Sequence, residues 1–104
     1  MFTINNETWY LKFVPSSHFQ LSKSNGDKSL GVCDDASKTI YLDERLQGAL
    51  LKKVLCHEIT HAAMFSYDIN LSLEQEELLA DLIATYGEEI LIITNKIFTK
   101  LKRG

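Results

Sequence analysis

The residues best equipped for chemistry are His57-Glu58-Ile59-Thr60-His61. Histidines at i and i+4 project from one side of a helix, one turn apart. Their ring nitrogens can then meet on a single Zn²⁺, each at about 2.0–2.1 Å. Glu58, next to the first histidine, falls beside the ion rather than on it. A carboxylate in that position takes a proton from a water whose pKa the zinc has brought near ~7, and returns it to a leaving amine. With three histidines and eight glutamates in the chain, chance placement gives this five-residue pattern roughly once in 150 shuffles. The competing reading is structural: two histidines that line a core, and an accidental motif.

Two histidines do not complete a catalytic zinc site, which normally has three protein ligands and one open position. Downstream, Glu77, Ala80, Asp81 and Ala84 share one helical stripe, with small residues where two helices would approach closely. Glu77 is the candidate third ligand. Asp81, one turn on, is the candidate partner for the other ring nitrogen of a zinc histidine, a bond that orients the ligand and raises its basicity. Glu74 and Glu76 read instead as a solvated acidic face at a helix start. His18 is either a further ligand or a loop residue. Tyr67 and Tyr86 are candidate oxyanion donors or packing residues, and Cys33 and Cys56 read as small buried thiols.

The elements that must position these groups follow from the pattern of the chain. Thr8–Val14 is rich in aromatic and β-branched residues and is stopped by Pro15, so a strand is expected. Asn25-Gly26-Asp27 is a turn signal. Leu30–Cys33 and Lys38–Leu42 flank Asp34-Asp35-Ala36-Ser37 at hairpin spacing. From about Leu46 the period changes: Leu50, Val54, His57, Glu58, His61 and Phe65 recur at steps of three and four. Leu51, Leu55, Ile59 and Ala62 line a second face, so this helix is expected to be buried nearly all round and to end near Tyr67-Asp68. Ser72-Leu73-Glu74-Gln75 fits a capping box. The helix it opens is expected to stop at Gly87 as a C′ residue, with a last helix from Glu88-Glu89 to about Leu101. Strands first and helices after give an α+β fold, with a short antiparallel sheet packed on the active-site helix and two further helices.

Here a resemblance becomes specific. His57-Glu58-Ile59-Thr60-His61, followed by Glu77-Leu78-Leu79-Ala80-Asp81-Leu82-Ile83-Ala84, resembles the ImmA/IrrE-type zinc peptidases of bacteria and their mobile elements. That family carries HExxH and then Glu-x-x-Ala-Asn/Asp-x-Phe-Ala. Upstream, Gly31-Val32-Cys33 and Ile40-Tyr41-Leu42-Asp43 look like the strands before the family's active-site helix, so the likeness spans roughly residues 30–85. Thr60 stands where the family usually has Gly, Ile83 where it has Phe, and no Leu-Met-Pro segment follows. The resemblance implies that His57, His61 and Glu77 bind zinc, that Glu58 is the catalytic base, and that an edge strand holds the peptide by β-addition. By analogy it implies a phage or mobile-element setting and a transcriptional repressor as the protein substrate. The alternative is a non-catalytic metal-containing binding or regulatory module.

Composition bounds the rest. A chain of 104 residues with 45% hydrophobic and 24% charged residues is expected to form one domain, residues 1–104, without disulfide staples. A net charge of -3 argues against nucleic acid as partner. The basic cluster Lys96, Lys100, Lys102 and Arg103 suits a helix C-terminus instead. Two cysteines in no repeated spacing, no basic and apolar leader at Met1–Asn6, and no membrane-length apolar run lead to an expectation of a cytoplasmic protein with no membrane partner.

Overall fold

A computed structural model of the chain describes residues 1–22 and 29–101; the Asn25-Gly26-Asp27 turn signal and the basic pair Lys102 and Arg103 lie outside the described residues. Seven elements follow in order: β1 (Phe2–Ile4), β2 (Glu7–Val14), a 3₁₀ turn (Phe19–Leu21), β3 (Gly31–Asp34), β4 (Thr39–Asp43), α1 (Gly48–Ser66) and α2 (Leu73–Leu101). The α+β class expected from the sequence is observed.

The sheet is mixed, which corrects the antiparallel expectation. Its order is β1-β2-β4-β3. Both tightly turned pairs are antiparallel: β1 with β2, and β3 with β4. Between them β2 and β4 run parallel, with Leu11 opposite Ile40 and Phe13 opposite Leu42. A short turn forces the antiparallel direction only on the strands it joins. The long connection from β2 frees β3 to take the far edge, and β4 returns into the gap.

The β1–β2 hairpin was not expected from the sequence. It turns on Asn5-Asn6, both left-handed at φ 48° and 65°. Two such residues make the hairpin turn whose twist matches the strands, and asparagine tolerates them. Asn5 Nδ2 donates to the Ser66 carbonyl (2.9 Å) and Trp9 Nε1 to Ser66 Oγ (2.8 Å), so the hairpin grips the end of α1.

Trp9, Ile40, Leu42, Leu46 and Ala62 form the buried centre, with Leu51, Val54, Leu55 and Ile59 of α1 packed against it. α1 is covered where it meets the sheet and α2, but not all round: Leu50 and Phe65 are exposed. The expectation of a helix buried nearly all round therefore fails. The sheet covers one side and α2 a second, and no further layer among the described residues covers the rest.

Where two helices were expected, α2 is a single helix of 29 residues. Gly87 sits inside it rather than at a left-handed terminus; Gly48 is the positive-φ glycine among the described residues. A mid-helix glycine costs only about 0.5–1 kcal/mol. The 3–4 spacing of Leu79, Ile83, Tyr86, Ile90, Ile93 and Ile97 runs through it without a phase break. No described helix is long and apolar enough to cross a membrane.

Candidate metal centre

α1 and α2 form an antiparallel pair joined by a short, well-capped turn. At the end of α1, Asp68 is left-handed (φ 53°), while the Ile69 N–H reaches the Met64 carbonyl (2.9 Å) and the Asp68 N–H reaches that of Phe65 (3.2 Å). These are the two bonds of a Schellman termination. Six residues after Ser66 the capping box appears as expected: Gln75 N–H donates to Ser72 Oγ, and Ser72 N–H to Gln75 Oε1, both at 3.1 Å. Both ends are thus fixed locally, which sets the first turns of α2 against the last turns of α1.

At that junction three groups converge. His57 Nε2 and His61 Nε2 lie 3.1 Å apart. Glu77 closes the triangle, with Oε2 3.2 Å from His57 Nε2 and Oε1 3.0 Å from His61 Nε2. Ligands at 2.0–2.2 Å around a tetrahedral zinc stand about 3.3 Å from one another. All three edges fall within a few tenths of an ångström of that value, so the donor set fits a small divalent cation. These three residues form the one His/Cys/Asp/Glu group of metal-holding size among the described residues.

Each imidazole is also held from behind. Asp81 Oδ1 is 2.9 Å from His57 Nδ1, the bond expected of Asp81. Glu76 Oε1 is 2.6 Å from His61 Nδ1. A carboxylate on Nδ1 keeps the proton there and turns the Nε2 lone pair towards the centre. Two lone pairs and a carboxylate aimed at one point repel each other unless a cation or protons stand between them.

Glu76 corrects the reading of it as part of a solvated face; its side chain is only 17% exposed. The signal was present in the sequence. Glu76 lies one turn before Ala80, the fully buried residue of α2, so it heads the stripe that faces α1. Glu74 is exposed, as expected.

Glu58 is 8% exposed and borders a cleft of about 900 Å³ together with His57, His61, Glu77 and the β3 residues Gly31, Val32 and Cys33. Its carboxylate has no hydrogen-bond or ion-pair partner among the described residues. Burial pushes the Glu58 carboxyl up from its ordinary range; His57 and His61 pull it back, and the Glu77 charge raises it further. Gly31 lets β3 come this close. A Cβ there would meet Val54 Cγ1 at 2.9 Å, and Glu58 Cγ and Leu42 Cδ2 at 3.1 Å. Sequence reasoning missed this role, because the contact is between residues 27 positions apart in sequence, 31 and 58.

The remaining candidates fall outside the triangle. His18 caps the 3₁₀ turn, its Nδ1 accepting from the Gln20 N–H (3.2 Å), and its ring stacks near Tyr41 (5.7 Å between centroids). Tyr67 is the C-cap of α1, Tyr86 lies on the exposed length of α2, and neither borders the cleft. Cys33 borders it and Cys56 does not; both are free thiols. Burial, then the negative charge of Glu58, push the Cys33 thiol far up, and Cys33 is not part of the His57, His61 and Glu77 group.

Comparison of the chain with protein-family models, with curated proteins and with solved structures finds no match.

Proposed function

We propose that the chain is a zinc-dependent peptidase. The observation that carries the reading is the triangle of His57, His61 and Glu77 with Glu58 beside it, at the floor of a cleft walled by an edge strand. His57, His61 and Glu77 are the metal ligands. Zinc bound there would polarise the scissile carbonyl and acidify water. Glu58 takes a proton and returns it to the amine of the leaving fragment; a buried, unpaired carboxylate whose affinity for a proton is raised suits that role. Asp81 and Glu76 keep the two imidazoles in the tautomer that leaves Nε2 free.

The substrate is an extended peptide. β3 is the edge of the sheet and its residues line the cleft, so its outer edge, which pairs with no strand among the described residues, can add one more, with backbone hydrogen bonds supplying affinity. Leu50, Val54, Phe65 and Leu73 on the other walls favour apolar side chains. The resemblance to ImmA/IrrE-type peptidases extends the proposal to a repressor protein as the source of that peptide.

Metal content by mass spectrometry, paired with cleavage of a peptide library, tests this reading. The expected result is one zinc per chain, lost in His61→Ala and kept in Glu58→Gln, with cleavage lost in both. Zinc binding without cleavage of any library member would turn the assignment to a metal-containing binding module. Failure of the wild type to take up zinc would sink it altogether.

A further inference from the structure

The second half of α2 has no neighbour among the described residues. α1 accompanies α2 as far as Glu88, which Lys52 reaches at 2.6 Å. Every residue from 88 to 101 is exposed. The last 13 residues, 89–101, amount to about 20 Å of helix, and the molecule is 51 Å long against 29 and 28 Å across. This length is apolar. Ile90, Leu91, Ile93, Ile97, Phe98 and Leu101 are each between 48% and 64% exposed. A monomer's largest apolar patch is usually about 300–600 Å². Six half-exposed side chains of this size reach the top of that range and approach the ~800 Å² per partner of a standard interface. The whole chain exposes 7484 Å², where a compact monomer of its mass would expose about 5,900 Å².

The pattern on this helix specifies what covers it. Tyr86, Ile90, Ile93 and Ile97 follow 4–3–4 steps, the seam of a paired helix. Glu89 and Lys96 are seven apart and so lie on the same flank of that seam. In an antiparallel pair related by a two-fold axis, each flank meets its own copy running the other way, so Glu89 of one chain faces Lys96 of the other. In a parallel pair the flank meets the opposite one, where Thr94 and Leu101 offer no charge. The seam also leads back to a groove of about 400 Å³ between the helices, lined by Leu55, Ile59, Ala63 and Ile83, within reach of the far end of an antiparallel partner. No other segment of this sequence can serve, since residues 23–28 and 102–104 contain no large apolar side chain.

From the apolar seam and its flanking charges we infer that the protein self-associates through residues 86–101 of α2, paired antiparallel with a second copy of itself. The closed two-fold pair buries both seams at once.

Sedimentation equilibrium on the full chain across a concentration series tests the proposal. The wild type is expected to be a dimer at micromolar concentration. Ile97→Glu, at an exposed position where the helix itself should persist by circular dichroism, should weaken the dimer at least about a hundredfold. Glu89→Lys and Lys96→Glu should each weaken it roughly three- to tenfold, and the double variant should recover, because both symmetric ion pairs are lost and then restored together. A wild type that is monomeric at micromolar concentration overturns the proposal, including one that binds lipid vesicles or a foreign protein instead. So does a dimer indifferent to Ile97→Glu. A dimer broken by Ile97→Glu but not recovered in the charge-swapped double variant overturns the antiparallel arrangement. None of these readouts depends on zinc or catalysis, so the peptidase reading can fail without touching this one.

Discussion

The two halves of α2 share one continuous backbone and invert the usual arrangement in opposite ways. In the first half carboxylates face α1: Glu76, Glu77 and Asp81 all meet its histidines, with Glu76 largely covered and the other two partly open to solvent. In the second half apolar side chains point outward, with Ile97 and Phe98 in solvent. Carboxylates gathered on histidine nitrogens and isoleucines left in solvent both cost free energy in an isolated chain. Under the proposals above, a cation would complete the first half and a second copy of the chain the second. A helix that merely packed would show neither inversion.

The sharpest way to break this comparison is Glu58→Gln. It keeps the volume beside the triangle and removes the proposed base, so on the peptidase reading kcat should fall by roughly 10²–10⁴ while zinc content and dimerisation stay unchanged. An active Glu58→Gln enzyme would remove the chemistry from the first half. Next is Glu76→Gln, which leaves the three ligands in place but weakens the grip on His61 Nδ1. Zinc affinity, read by competition with a chelator, should drop about 10–100-fold. No change there would return Glu76 to the solvated face.

Gly31→Val comes third and tests whether the site half depends on the sheet. Its side chain would collide with Val54 and Glu58, and overpacking of this kind costs about 1–3 kcal/mol. Urea unfolding should show the loss, with reduced activity; full stability would mean β3 can move aside. The smallest effect tests the join itself. Gly87→Ala should stabilise the chain by about 0.5–1 kcal/mol if α2 is continuous, provided Ile83 Cγ2, 3.3 Å from the new Cβ, yields slightly. A helix that breaks at Gly87 would be destabilised by the same change.

Much of this was legible from local rules. The capping box at Ser72, the strand ended by Pro15, the Asp34–Ser37 hairpin and the HExxH helix all depend on residues within a few positions of one another. Several features were not, among them these. The parallel pairing of β2 with β4 depends on where a long connection lets β3 go. The inward turn of Glu76 depends on which side of α2 meets α1, and the adjacent Glu77 disguised it as part of an acidic run. The Asn5-Asn6 hairpin is short, and its strand β1 has only three residues, too few for periodicity to show.

The sequence by itself determined the donors: two histidines one turn apart, a glutamate between them, and a carboxylate stripe on the next helix. Helical geometry fixes such relations at short range, whatever the rest of the chain does. Tertiary structure alone decided that His57, His61 and Glu77 close a triangle with edges of 3.0–3.2 Å, and that β3 passes over Glu58. The two Glu77 edges and the Gly31–Glu58 approach join different elements. They are set by how closely Ala80 and Gly31 let neighbouring elements approach, which only packing can decide.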